Sequence, residues 1–131
     1  MPSWKILVVD DDPDIRRIAA LSLERIGGFR VVLADGAQEA LAAAAAGVPD
    51  LVLLDVTMPG MDGPETLRAL RERPETAQVP VVFFTATSND ADVDRLRALG
   101  AVEVISKPFD IAELPRRVRD ILGRATVNSA E

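Results

Sequence analysis

The sequence predicts an α/β fold, a five-stranded parallel sheet with helices packed on both faces. Three observations predict it. Short apolar runs recur at residues 5–9, 30–34, 51–54, 81–84 and 102–105. Each run is followed by a stretch that opens on a helix-start signal, so strands and helices alternate strictly. The runs at 51–54 and 81–84 are apolar at every position, the pattern of strands buried on both faces. Units of this kind connect by right-handed crossovers.

Residues 5–9 give the first strand. Asp10, Asp11 and Asp12 follow, then Pro13, so Asp12 reads as an N-cap with proline at the first helical position. The first helix is expected to reach Ile26, with Ile15, Ile18, Ala19, Ser22 and Ile26 on one face, and to stop at Gly27 and Gly28. After the second strand at 30–34, Asp35 is read as the cap of the second helix, with Gln38 completing a capping-box-like pair. That helix, 37–46, is rich in alanine, whose high helix propensity and small size suit a thin helix lying close on the sheet. Gly47 ends it.

The third strand, 51–54, leads to a helix opened by Pro64, with Leu67 and Leu70 facing inward, and then a polar loop around Pro74. The fourth strand, 81–84, ends in Thr85, Ala86 and Thr87; Ser88 or Asn89 caps a fourth helix that runs to Leu99 before Gly100. The fifth strand, 102–105, precedes Ser106, Lys107, Pro108 and Phe109. Asp110 and Glu113 form the capping pair of the last helix, expected to reach Leu122. Pro115 should bend its first turn or delay its start. The predicted organisation is one domain over 1–124 and a short polar tail over 125–131, expected to fray.

Composition removes several function classes. With 131 residues, 48% apolar and 27% charged, the chain has the make-up of an ordinary globular domain with a real core. It has neither Cys nor His. Disulfides, thiolate nucleophiles, histidine bases and most zinc sites are therefore excluded. Any metal must be a hard cation held by oxygen. No apolar stretch approaches the roughly 18–20 residues of a membrane span. Residues 1–5 run straight into a strand, so no signal peptide is expected. A net charge of −6 argues against nucleic-acid binding by this domain. Neither a G-x-G-x-x-G after the first strand nor a Walker-type lysine loop is present.

The stretch 50–63, DLVLLDVTMPGMDG, carries the densest signal. Its apolar run ends abruptly in Asp55. A carboxylate at the end of a buried strand is costly unless a cation or hydrogen-bond donors meet it. Asp55 is thus either a structural acid or a reactive centre. Other strands end in Asp10 and Asp11, in Thr85 and in Lys107. Parallel strands bring these ends to one edge. With strand order 2-1-3-4-5, the first and third strands are neighbours where the winding reverses, and a crevice opens there. Three converging carboxylates repel, so one pKa should rise unless a cation relieves them; Mg²⁺, which takes oxygen ligands, would do so. Plainer readings exist singly: a solvated turn at Asp10–Asp12, a surface lysine at Lys107, an ordinary strand-end hydroxyl at Thr85, a trans turn proline at Pro108. Their joint occurrence at successive strand ends favours a site.

The segments ILVVDDDPDIR, LVLLDVTMPGMDG, FFTA and SKPF, in this order and spacing over residues 5–122, resemble the receiver domain of bacterial two-component response regulators. The resemblance implies a flavodoxin-like (βα)₅ fold. It implies that Asp55 accepts a phosphoryl group from a phosphohistidine partner. Asp10, Asp11, Asp55 and the backbone carbonyl of Thr57 would hold Mg²⁺, with Mn²⁺ as a substitute. Thr85 and Lys107 would contact the phosphoryl oxygens, and the Lys107–Pro108 bond would be cis. Thr57 and Thr87 would occupy the positions that tune loss of the phosphoryl group.

One departure stands out. Three residues before the lysine the family often has Tyr or Phe; here that residue is Val104, and the chain has no Tyr. Readout is therefore expected through the Thr85–Asn89 loop and the fourth helix instead. The expected partners are a sensor histidine kinase or histidine phosphotransfer protein and an unidentified output protein, with no direct nucleic-acid binding, no membrane, and a monomer or weak dimer. The chain is expected to be a cytoplasmic, stand-alone domain that catalyses only its own phosphorylation and dephosphorylation. The competing readings are a Mg²⁺-dependent aspartyl phosphatase, disfavoured by Thr57 where a second acid is needed, and a receiver-like binding module without phosphotransfer.

Overall fold

The computed structural model describes residues 4–86 and 89–130, with side chains placed as far as Arg124. Strands β1 (Lys5–Val9), β2 (Arg30–Ala34), β3 (Leu51–Asp55), β4 (Val81–Thr85) and β5 (Glu103–Ser106) form one parallel sheet. Its order is β2-β1-β3-β4-β5, as expected. Helices α1 (Pro13–Leu21), α2 (Ala37–Ala46), α3 (Gly63–Arg71), α4 (Asp90–Ala98) and α5 (Glu113–Ala130) alternate with the strands.

Successive strand residues point to opposite faces, which splits the apolar core in two. Ile6, Val8, Leu51, Leu53, Val82, Phe84 and Ile105 pack with Ala19 of α1 and with Leu114, Val118 and Ile121 of α5. Leu7, Val9, Val52, Leu54, Val81 and Phe83 pack on the other side with Ala40 and Ala44 of α2, Leu67 and Leu70 of α3 and Leu96 of α4. β3 and β4 are buried at every position. Each fully buried aliphatic side chain contributes about 1.5–3 kcal/mol, so the centre of the sheet is fixed more firmly than its margins. Among the described residues no helix is long and apolar enough to cross a membrane.

The structure departs from the sequence-based expectation at several helix ends. α1 stops at Leu21 and continues as a π-helical turn over Ser22–Ile26, closed by Gly27 N–H on the Ser22 carbonyl at 3.2 Å. The wider turn brings Leu23 fully into the core, while Ile18 and Ile26 are exposed, so the predicted apolar face was displaced. Ser22 is buried because its Oγ donates to the Ile111 carbonyl. The cap of α2 is Gly36 rather than Asp35, and it is Glu39, not Gln38, that reaches back to the Asp35 N–H. β5 sits one residue later than predicted. α5 continues past its expected end at Leu122, to Ala130. No proline follows Pro115 to stop it. Pro115 lies in the first turn, where a missing N–H leaves no helical bond unmade. Of the two candidate caps for α4, Asn89 serves, accepting from the Asp92 N–H; Ser88 and Thr87 lie outside the described residues.

Candidate functional site

The β1–β3 ladder ends at Val9 opposite Leu54, so the next residues, Asp10 and Asp55, emerge side by side at the C-terminal edge. Asp11 follows on the loop. Carboxylate oxygens of Asp10, Asp11 and Asp55 all lie within 4.8 Å of one another. Asp10 is fully buried and Asp55 nearly so, whereas Asp11 is exposed.

Lys107 arrives from the far side of the sheet. Its N–H donates to the Thr85 carbonyl at 2.8 Å, which extends the β4–β5 pairing by one residue. The Lys107–Pro108 peptide is cis. The lysine Nζ donates to Asp55 Oδ1 at 3.0 Å and lies 2.8 Å from Asp10 Oδ2. Asp10 Oδ1 accepts from the Asp12 N–H at 2.9 Å. Asp10 Oδ2 receives no well-directed hydrogen bond, so its contact with Lys107 is an ion pair of poor angle. The Thr57 N–H reaches Asp55 Oδ1 at 3.4 Å, with the threonine side chain exposed. Thr85 is buried at the end of β4. Val104 is half-buried, packed against the core on the α2–α3–α4 face.

Burial pushes the Asp55 carboxyl up to about 6, helped by the charge of Asp10 and contact with Asp11 and opposed by Lys107. For Lys107, burial acts against the ammonium, but the two carboxylates outweigh it and the net shift is upward. Asp55 thus remains mainly a carboxylate at neutral pH, which a nucleophile requires. The acidic cluster fits a hard divalent cation: every donor is oxygen, three carboxylates face a single lysine, and one buried carboxylate oxygen lacks a directed hydrogen bond. This cluster could therefore bind a metal.

Two features of the site escaped the sequence reading. Asp62 and Glu65 form a reciprocal capping box at the start of α3, with bonds of 2.9 and 3.0 Å. The D-x-x-E spacing before Pro64's helix could have announced it. Gly63, inside that box, presses its backbone on the Asp55 carbonyl and Val56 Cα, where a Cβ would collide with main chain. Its N–H donates to the Val56 carbonyl at 2.9 Å. This approach joins residues close in sequence only through the turn, and no local pattern signals it.

The model of the response regulator receiver domain matches residues 6–119. The chain is 41% identical over 127 residues to the DNA-binding response regulator MtrA of Mycolicibacterium smegmatis, covering 97% of this chain and 54% of MtrA. It is 37% identical over 123 residues to the alkaline phosphatase synthesis transcriptional regulatory protein PhoP of Bacillus subtilis, covering 94% of this chain and 50% of PhoP. Among solved structures, a putative response regulator from Chloroflexus aurantiacus superposes with a TM-score of 0.86 at 32% identity, covering 93% of this chain and 99% of that one. The chain spans about half the length of the curated relatives it matches.

These relatives correct the partner expectation, which had excluded direct nucleic-acid binding: MtrA is named as DNA-binding and PhoP as a transcriptional regulator. A net charge of −6 constrains the surface of these 131 residues and nothing joined to them. The relatives are signalling proteins rather than conventional enzymes. The family match over residues 6–119 and the β2-β1-β3-β4-β5 sheet agree: the chain belongs to the response regulator receiver domains, phosphoacceptor signalling domains of two-component systems.

Proposed function

We propose that Asp55 is the phosphoacceptor and that it takes a phosphoryl group from a phosphohistidine donor. The observation that carries this reading is the Lys107 ammonium held between Asp10 and Asp55, beside the exposed Asp11. Asp55 Oδ attacks phosphorus, and the bond from phosphorus to the donor breaks with its electron pair leaving on the donor. Lys107 supplies a fixed positive charge for the phosphoryl oxygens as they arrive. Thr85, at the edge of β4, would give its hydroxyl to one of those oxygens. Asp10, Asp11, Asp55 and the Thr57 carbonyl would hold Mg²⁺, or Mn²⁺ in its place. When bound, the cation supplies the charge neutralisation that lets a carboxylate approach an anionic phosphoryl group.

Thr57 offers no acid or amide to orient an attacking water, which supports a long-lived phosphoryl state; Thr87, assigned to the same tuning, lies outside the described residues. The only reaction assigned to the chain is its own phosphorylation and dephosphorylation, and a cytoplasmic setting follows from that role. Incubation of the chain with acetyl phosphate and Mg²⁺ should add the mass of one phosphoryl group, labile to hydroxylamine. Asp55→Asn should fold and take up none. Uptake by that variant at the wild-type level would refute the assignment.

A further inference from the structure

Arg16 reaches the acid cluster through the main chain. Its Nη1 donates to the Asp10 carbonyl at 2.7 Å. Asp10 lies one residue beyond the last β1–β3 ladder pair, Val9 with Leu54. Its N–H still donates to the Ala34 carbonyl of β2 at 3.1 Å, but the ladder has ended where its own carbonyl needs a donor. A buried carbonyl left without one is costly. The Arg16 guanidinium supplies a short, charge-assisted bond.

The placement runs against helix electrostatics. α1 begins at Pro13, so Arg16 sits a single turn from the positive end of the helix dipole. A cation there is held by what it binds rather than by the helix. With the Asp10 carbonyl, N–H and Oδ1 all engaged, the residue has little rotational freedom left. The one group of Asp10 without a directed hydrogen bond is Oδ2, beside Lys107 and facing the cluster.

We propose that Arg16 is a positioning residue: it clamps the Asp10 peptide so that the Asp10 carboxylate stays turned toward Asp55 and available to the divalent cation. The inference rests on the Mg²⁺-dependent reading of the site. It yields a sign that separates it from its rivals. Removing a nearby positive charge should, by relief of Coulomb repulsion alone, strengthen Mg²⁺ binding, whereas loss of a clamp weakens it.

The test is calorimetric Mg²⁺ titration of the full chain and of Arg16→Met and Arg16→Lys, beside metal-free thermal melts. Arg16→Met keeps the apolar stem and loses the donor; its Kd for Mg²⁺ should rise about tenfold, the usual effect of losing a partner that orients a ligand. Arg16→Lys, retaining a charged but shorter donor, should fall between the two. Should Arg16→Met fail to fold, a weaker Mg²⁺ affinity in Arg16→Lys carries the proposal. Tighter binding in Arg16→Met, or an unchanged Kd with only a lowered melting temperature, would overturn it. A wild-type chain that binds no Mg²⁺ would overturn both this inference and the reading of the site, whereas Mg²⁺ binding equal in all three proteins overturns the clamp alone.

Discussion

The β1–β3 end of the crevice and its β4–β5 wall are built to different tolerances. At the first, Asp10 is fully buried and bonded through its N–H, its carbonyl and Oδ1, and Gly63 lets α3 press directly on the Asp55 main chain. α3 buries Gly63, Thr66, Leu67 and Leu70 and carries a full capping box. At the second, α4 buries Leu96 alone, and β5 is fully buried only at Ile105. The carboxylates sit on the firm side; the lysine that pairs with them comes from the other, where the flanking elements bury less and can move at smaller cost. A phosphoryl group arriving between them would therefore displace the β4–α4 segment before it displaced the acids.

Three experiments test that contrast. Leu96→Ala should show the largest effect, about 2–4 kcal/mol lost, and hydrogen exchange should quicken over residues 90–98 while α3 keeps its protection. Equal quickening in α3 would show the two sides to be one cooperative unit. Lys107→Met comes next. It leaves Asp10 Oδ2 and Asp55 without their shared cation, so metal-free stability should fall by about 1–3 kcal/mol. Added Mg²⁺ should raise the melting temperature more than in wild type. A variant as stable as wild type without metal would mean that the cluster is solvated rather than held. The smallest effect belongs to Val104. Branching at Cβ leaves it few χ1 choices, so beryllofluoride should shift amides chiefly over residues 85–99 and leave its rotamer alone. A rotamer change at Val104, or an α4 that stays quiet, would move the readout elsewhere.

The strand order and the gathering of Asp10, Asp11, Asp55, Thr85 and Lys107 at one edge were legible because they rest on patterns a chain displays locally. An apolar run such as 51–54 announces a doubly buried strand, and the acids and lysine stand immediately at such ends. What stayed hidden depends on contacts between distant or differently wound segments. The π-helical turn reverses which of Leu23 and Ile26 faces the core, and its anchor, the Ile111 carbonyl, lies 89 residues away. Nothing in the local sequence sets Arg16 apart from other helix charges; its bond to the Asp10 carbonyl depends on the fold. The partner expectation failed for another reason, since net charge speaks only for the surface that carries it.

Lys107 and Asp55 meet across 52 positions of sequence, and β5, which leads into the lysine, pairs only with β4 at the margin of the sheet. During synthesis, chains fold from the N-terminal side as they emerge. Four strands and all three acids can be in place while the lysine is still in the ribosome. A nascent chain at that stage has its carboxylates assembled with no ammonium between them, a poor receiver for an anionic group. On the proposed role of Lys107, a chain stalled before the margin strand would hold its acids together without the ammonium that is to meet the phosphoryl group.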